Sequence, residues 1–577
     1  MKKMIYMATL ILLGQGLNAQ TVDFATVGND NNCDFQVGTS RIQDAIDSGL
    51  YDEIRISTGE YRENLILNDI DMRLVGGFTN CTDAMNNIKT ISALNKVTVS
   101  NLSTDRGDLL TILGDQNENT IYLEDMRFFR GRHGIRVADA QADIELNRVD
   151  IVRNFLNGEF NDGAGIGIKD GDVSLVGFEV LINDNDSSAA NGGGLSCEGA
   201  NNFVYFDGST LITNNKASND GGGIALYDQC SMIMDGGTLS NIQGNNARNG
   251  GGVFVNNAYF TYNSTVDGPA RIRLNQASND GGAVYATGAQ SIVLIGSGIF
   301  ESNSATVDGG GFYVDNLAGM NVGFQVRNGS LLPVNCYWSG GKCTSIINNN
   351  STFGGAIYAE TNGSLSVQHA YVEGNRADFG VVGYAFNTGS LDIIGSYITA
   401  NGNSGLNAGG ISSSDFHLFI GSNGGTVSNL TEINIMESTI ADNAVVDEIL
   451  ISFQSDLTVQ ASIIDETNLN TIYDDSSGRT ESFQCLVVHD ATGLVNTNNV
   501  VVANPRFLNR SNGDYHLAAD SPAIDLCDQI FDVSSVRDID GDLRSFDDPT
   551  AANQAGFADA GADESILNDI IFKDGFD

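Results

Sequence analysis

Proline is scarce in this chain, at 5 residues in 577, which argues against a disordered, low-complexity polypeptide. Basic residues are also few: 29 Lys and Arg stand against 72 Asp and Glu, for a formal charge of -43. Such a balance makes binding to nucleic-acid phosphates or anionic lipid unfavourable, so no nucleic-acid partner is expected. Cations, cationic surfaces and neutral glycans stay open. Histidine occurs 5 times, and no Gly-x-Ser-x-Gly elbow sits at a strand-to-helix turn, so a nucleophilic triad has little to draw on. Long apolar runs are missing too. Past the first twenty residues nothing approaches the roughly 20 residues a spanning helix needs, and no transmembrane segment is expected in the mature chain.

Glycine and small polar residues fill the composition instead. The 68 glycines carry no Gly-X-Y period, which excludes collagen, and 41% hydrophobic residues supply a core. Residues 1–19 read as a secretory signal. Lys2 and Lys3 form its basic start, Met4–Leu13 its apolar stretch, and Leu17-Asn18-Ala19 its cleavage site. Gln20 rather than Cys would follow the cut, which gives lipoprotein anchoring no support, and loss of the two lysines makes the mature chain more acidic still. A bacterial protein that is secreted or displayed on the cell surface is expected. Eight cysteines in an exported chain are compatible with disulfides. Cys336 with Cys343, Cys33 with Cys81, and Cys485 with Cys527 are the expected pairs, while Cys197 and Cys230 are left open.

An internal repeat decides the fold class. An apolar residue followed three positions later by Asn recurs at Ile151/Asn154, Ile182/Asn185, Ile212/Asn215, Ile242/Asn245, Ile272/Asn275 and Phe300/Asn303. It continues at Ile347/Asn350, Val372/Asn375, Ile398/Asn401 and Ile440/Asn443. The first copies lie 31, 30, 30, 30 and 28 residues apart. Glycine clusters follow most copies, starting at Gly192, Gly221, Gly250, Gly281, Gly309 and Gly354. Three positions after each comes Leu195, Ile224, Val253, Val284, Phe312 or Ile357, and five positions after it Cys197, Leu226, Val255, Ala286, Val314 or Ala359. Between these lies a mixed set: Ser196, Ala225, Phe254, Tyr285, Tyr313 and Tyr358. Apolar residues two apart mark a strand with one buried face, and their recurrence at a fixed period stacks each strand on its counterpart one repeat later. The fold class is therefore all-β: a single-stranded right-handed parallel β-helix, a solenoid, with Asn and Gly at its corners and the Asn side chains in a ladder. Roughly 15 coils rising about 4.8 Å each would make a rod on the order of 70 Å long.

The open first coil needs a lid. Ser40-Arg-Ile-Gln43 forms a capping box, Ile42, Ala45 and Ile46 share one face, and Gly49 is a stop, so a short capping helix is expected there. Glu53–Ser57, Asn64–Leu67 and Met72–Val75 read as the first strands. The organisation is a signal at 1–19, cap and first coils at 20–100, repeats at 101–465, C-terminal coils at 466–565 and a tag at 566–577.

These residues carry resemblances. Phe300-Glu-Ser-Asn303 and Gly354-Gly-Ala-Ile357 resemble the FxxN and GGAI repeats of polymorphic outer-membrane proteins. Ile42-Gln-Asp-Ala-Ile46 through Gly76-Gly77-Phe78 is similar to the first coil of pectin-lyase-like right-handed β-helices. Asn504-Pro505, Gly513-Asp-Tyr-His-Leu517, Ser521-Pro-Ala-Ile-Asp525, Asp540-Gly541 with Arg544, and Gly561-Ala-Asp-Glu564 together resemble the C-terminal region of choice-of-anchor Q proteins. Ile571–Phe576 resembles a terminal tag of exported bacterial proteins. The resemblances imply fold and an exported location, and no settled reaction. The membrane barrel that ends polymorphic outer-membrane proteins has no counterpart in the strand pattern here.

Function is read between two classes. The first is a non-enzymatic adhesion or recognition scaffold, with a host, cell-surface or polysaccharide ligand; the second is a polysaccharide lyase or glycoside hydrolase of the same fold. Hydrolysis needs two carboxylates facing one cleft. Asp474-Asp475 and Asp547-Asp548 are sequence neighbours that alternate faces, and chance pairs are expected among 72 acids. Arg132-His133-Gly134 is read as structural, and Arg127, Arg130, Arg132 and Arg136 as a basic stripe held in surface ion pairs. No catalytic residue and no cofactor is assigned. Asp538, Asp540 and Asp542 offer alternating oxygens of the kind calcium favours, without an EF-hand's spacing. The repeat lengthens between 300 and 347 and between 398 and 440, where loops leave the rod. The first loop holds Cys336-Tyr337-Trp338 through Cys343. If it is closed by a disulfide, Tyr337 and Trp338 could stack on a sugar; the alternative is that Trp338 packs back on the coil below.

Overall fold

The computed structural model describes residues 23–36, 41–90, 96–101, 107–157, 163–188, 190–237, 239, 241–265, 268–327, 330–333, 344–402, 417–422, 431–444, 449–453, 455–466, 473–475, 480–529, 538–544 and 556–565. The expected signal, the terminal tag, Ser40, Asp547-Asp548 and the Cys336–Cys343 segment with Tyr337 and Trp338 lie outside them.

One coil shows why the sequence folds as it does. Leu211–Thr213 is a strand, Asn215 turns the chain, and Lys216–Ala217 is a very short second strand. A glycine corner at 221–223 leads into Ile224–Tyr227, and a further turn leads into Ser231–Asp235. The next coil begins at Asn241–Gln243, whose Ile242 lies directly over Ile212. Among the described residues, repetition of this unit links the strands into one continuous sheet of 41 strands, in which all the pairings are parallel, and a separate 6-stranded sheet of the short segments. The protein is a parallel β-helix. Antiparallel pairing occurs between Phe324–Arg327 and Ser330–Pro333, at the first long insertion, and between Phe507–Asn509 and Asp514–Leu517.

The inner columns follow the repeat. Leu195 pairs with Ile224, Ile224 with Val253, Val253 with Val284, Val284 with Phe312, and Phe312 with Ile357. All are at most 1% exposed, so each is removed from water on every side. The column two residues on includes Cys197 and Leu226, and Cys197 reaches Cys230 of the following coil in a buried disulfide. Cys33–Cys81 and Cys485–Cys527 close the two ends as expected. At the corners Gly192, Gly221, Gly250, Gly281, Gly309, Gly354 and Gly380 all take φ between 59° and 68°. A Cβ on Gly281 would lie 2.7 Å from the Cβ of Tyr285, so the corner needs glycine for both its backbone and its space.

The asparagines form one ladder, through Asn154, Asn185, Asn215, Asn245, Asn275, Asn303, Asn349, Asn375, Asn401 and Asn443. Each rung uses the whole side-chain amide. Asn245 Oδ1 accepts from Asn215 N at 2.9 Å and Asn215 Nδ2 at 3.1 Å, while Asn245 Nδ2 donates to Asn275 Oδ1 and to Ile212 O at 3.0 Å each. A buried amide with all its hydrogen-bonding capacity used carries no desolvation penalty to undo it. The residue before each rung is left-handed, among them Arg153, Asn214, Leu274, Ser302 and Asn348, a strained geometry that the ladder holds in place.

One rung departs from the sequence expectation. Ile346-Ile347-Asn348-Asn349-Asn350 contains two overlapping matches to the motif, and the rung is Asn349, not Asn350. Ile346 is the residue that lies over Phe300 and is fully buried, whereas Ile347 is half-buried. Burial of the isoleucine therefore sets the register. The ladder ends on an acid: Glu466 Oε1 accepts from Asn443 N at 3.0 Å and Asn443 Nδ2 at 2.7 Å.

The capping helix is Arg41–Asp47, with Ile42, Ala45 and Ile46 buried and Gly49 left-handed at φ 63°. Its first amides are held from the next coil. Glu63 accepts from Ile42 N and Gln43 N at 3.0 Å, a distant acid at a helix N-terminus. The Gln43 side-chain amide pairs with Ile66 N and O at 2.8 and 3.2 Å, covering the strand edge like an added residue. No helix among the described residues is long and apolar enough to cross a membrane.

Candidate functional site

The residues between the inward columns face the other side of the same strands, and there the repeat builds an aromatic column. Phe254, Tyr285, Tyr313, Tyr358 and Tyr384 occupy one outer column, each in register with the next. Their rings stack, with centroids 5.2, 4.5, 5.3 and 5.4 Å apart and planes within 25°. The stack is offset-parallel and consumes the ring faces, and Phe254, Tyr313 and Tyr358 are 4%, 3% and 5% exposed, so only narrow ring edges reach solvent. At one end Ser196 and Ala225 replace the rings.

Carboxylates flank the column on both sides. On one side the residue before each corner glycine is Asp220, Asn249, Asp280 and Asp308, and then Phe353 and Phe379, which stack at 5.1 Å. On the other side Asp315 and Glu360 follow the same strands, and they accept from Tyr285 Oη at 3.2 Å and Tyr313 Oη at 2.6 Å. The acids sense one another across the rings. Burial, together with the charges of Glu360 and Asp315, pushes Asp280 up to about 6; burial with Asp280 and Glu360 pushes Asp308 up to about 7. Asp315 is raised as well, chiefly by burial. Burial and these acids hold the Tyr285, Tyr313 and Tyr358 hydroxyls in their protonated form. The face thus combines hydroxyl groups with carboxylates that take up protons near neutrality. The sequence shows these residues as a variable set, and its only signal is the fixed offset of the aromatics from the glycines.

A second constellation lies in the C-terminal region. The segments 504–529, 538–544 and 556–565 pack on the outer side of the last coils, where Gly561 N donates to Ala461 O at 2.8 Å and Ala562 N to Thr439 Oγ1 at 3.0 Å. Five motifs far apart in sequence converge there. Arg544, 1% exposed, donates to Gly561 O and Ala562 O at 3.0 Å and pairs with Glu437 at 3.1 Å. Around it Asp525 N donates to Asp559, Leu517 N to Asp563, Glu564 N to Asp538 and Asp559 N to Glu564. Burial raises Asp538 to about 6, Asp559 to about 7, Asp563 to about 8 and Glu564 to about 10.

Asp538 Oδ1 accepts from the backbone of Asp540, Gly541 and Asp542 at 2.7–3.0 Å, which folds that segment into a turn. Asp540 turns away to His516 Nε2 at 2.6 Å. In the basic stripe Arg127 pairs with Asp150 at 2.8 Å and Arg132 with Asp108 at 2.8 Å, while Arg130 lies over the Phe129 ring at 4.7 Å. Buried His133 completes the pair through Nδ1 to Asp108 at 2.6 Å. Asp474 and Asp475 end a strand paired with Leu450–Phe453. A third grouping, Asp30 with Cys33 and Cys81, is occupied by the disulfide between those cysteines. In comparison with known proteins, no family model matches the chain and no curated protein matches it.

Proposed function

We propose that the protein is an exported β-helix scaffold that binds a neutral glycan along the face built by Tyr285, Tyr313, Tyr358 and Tyr384. The observation that carries the reading is the double row of carboxylates: Asp280 and Asp308 on one side of the stacked rings, Asp315 and Glu360 on the other. Carboxylates are strong acceptors for sugar hydroxyls, and a repeat of one unit per coil suits a repeating ligand. The charge of -43 favours neutral or cationic partners over anionic ones. The three disulfides among the described residues fit an oxidising compartment outside the cell. The resemblances to pectin-lyase-like coils, to polymorphic outer-membrane repeats and to choice-of-anchor Q regions belong to this reading. So does the Tyr337–Trp338 loop as an additional sugar platform.

The test is a glycan array with the mature protein beside Asp308→Asn and Glu360→Gln. Retention of a neutral glycan by the parent, weakened about tenfold or more in either variant, supports the reading. Equal retention by all three would remove the face from it. The second reading, a lyase or glycoside hydrolase, draws on Asp308, whose rise to about 7 lets it hold a proton at neutral pH beside acids of lower affinity. Release of reducing ends, or of unsaturated product absorbing near 235 nm, that is lost in Asp308→Asn would favour it.

A further inference from the structure

The geometry points to a metal site on the C-terminal face: His516, Asp540 and Asp563 hold one divalent ion of the zinc class. One nitrogen or oxygen from each of these side chains lies within 4.8 Å of the others, the spacing of ligands around a common ion. The three residues come from separate segments, the strand Asp514–Leu517, the turn after Asp538 and the 561–564 motif. Independent of that grouping, Asp563 is 4% exposed and its Oδ1 has no hydrogen-bond partner, while its Oδ2 accepts from Leu517 N at 3.3 Å. A buried carboxyl oxygen with no hydrogen-bond partner is one that a bound cation would satisfy.

The histidine is oriented for the task. Its Nδ1 faces Asp514 and its Nε2 donates to Asp540 Oδ2 at 2.6 Å, so Asp514 holds the Nδ1 proton while an ion takes the place of the Nε2 proton. This is the carboxylate–histidine arrangement that fixes a ligating tautomer. Two carboxylates balance a divalent charge, and an imidazole nitrogen in the set argues for zinc or manganese over calcium, which prefers oxygen alone. His516 and Asp540 keep 21% and 26% of their side chains exposed, so the ion has a route in and a coordination position open to water. The site is independent of the aromatic face. Its effect is to pin three segments of the C-terminal region together over the last coils.

The experiment uses the full mature chain, stripped with a chelator and dialysed against zinc, manganese or calcium. Bound metal is measured by elemental analysis and stability by thermal unfolding. One equivalent of zinc or manganese per chain, with a midpoint raised by several degrees, is expected for the parent. Both effects should be absent in His516→Gln and in Asp540→Asn, and affinity should fall about tenfold or more in Asp514→Asn. Asp563→Asn keeps the shape while removing the unpartnered oxygen's charge, so an apo protein of parental or higher midpoint that binds no metal separates ligation from folding. Binding below one equivalent, a preference for calcium, or unchanged binding in His516→Gln would overturn the assignment.

Discussion

Asn349 and Asn350 are adjacent, chemically identical and both consistent with the repeat motif, yet replacing them by alanine should give very different results. Asn349 is fully buried, and its Oδ1 accepts from Asn303 N and Asn303 Nδ2 at 3.0 Å each. Its Nδ2 donates to Phe300 O and Asn375 Oδ1, also at 3.0 Å. Asn349→Ala leaves the backbone N–H of Asn303 and one hydrogen of its side-chain amide without an acceptor, at a residue that is itself 0% exposed. Each orphaned donor costs about 1–3 kcal/mol, so the variant should lose about 3–5 kcal/mol. Asn350 is half-buried and sits outside the ladder, its backbone bridging Ser304 and Arg376. Asn350→Ala keeps those backbone bonds and should cost less than about 1 kcal/mol.

A solenoid transmits stress mainly to neighbouring coils, and a chain of this length need not unfold in one step. The assay is therefore native-state hydrogen exchange of the segments around residues 300–306 and 344–350, with the thermal midpoint as a second readout. Protection should fall locally in Asn349→Ala, in the coils of Asn303 and Asn375, and stay parental in Asn350→Ala. If Asn350→Ala is the more damaging of the two, or if Asn349→Ala exchanges like the parent, the register derived from Ile346 is wrong.

Ile224→Asp puts an unpaired charge into a column that is 0% exposed and should cost several kcal/mol; a variant that melts like the parent would show that the column is not buried. Glu466 gives a pH effect with a definite sign, because burial raises it from 4.5 to about 7, so the folded chain favours its protonated form. The stability it adds is fully present below about pH 4.5 and is lost as the pH rises through about 7, by at most about 3 kcal/mol. Glu466→Gln keeps an acceptor for Asn443 and should flatten that segment of a stability-versus-pH curve; an unchanged slope would mean the ladder's end does not titrate. Asp308→Asn removes a carboxyl held near 7 by burial and like charge, so above pH 7 the variant should be more stable than the parent, by about 1 kcal/mol after solvent screening. A less stable Asp308→Asn at pH 8 would contradict the cost of holding that carboxylate buried beside Asp280 and Glu360.

The inward half of the molecule was legible because stacking forces equivalent residues to recur. The columns through Ile224 and Val255, the glycine corners and the asparagine ladder all follow from the period, and the capping helix over Ile42 from its own amphipathic pattern. Where the sequence offered two registers, at Ile346-Ile347, periodicity could not choose, and burial of Ile346 over Phe300 decided. Partners brought together by the coil rather than by local spacing were also hidden. Glu63 at the helix start and Cys230 against Cys197 are examples, since each depends on which side of the rod a residue faces. The C-terminal cluster was legible only as motifs. Their order was visible, but the meeting of His516, Asp540 and Asp563 needs the chain to return twice to one place.

This contrast bears on where function resides. In a parallel β-helix every inward position is constrained by the coil above and the coil below, so recurrence there reflects packing and says little about a ligand. An outward column has no such obligation: Ser196 and Ala225 satisfy the same backbone register as Tyr285 and Tyr313. Rings sustained from Phe254 to Tyr384 go beyond what the backbone register asks of those positions, and Asp280, Asp308 and Asp315 beside them are raised in pKa by burial and neighbouring acids. Buried acids held beside one another cost stability in the folded state, and such local costs are expected at functional sites. Replacing Tyr313 and Tyr358 by serine, as position 196 already has, tests this directly. The double variant should keep the β-helix circular dichroism while losing glycan retention, and collapse of the coil instead would show the stack to be part of the scaffold.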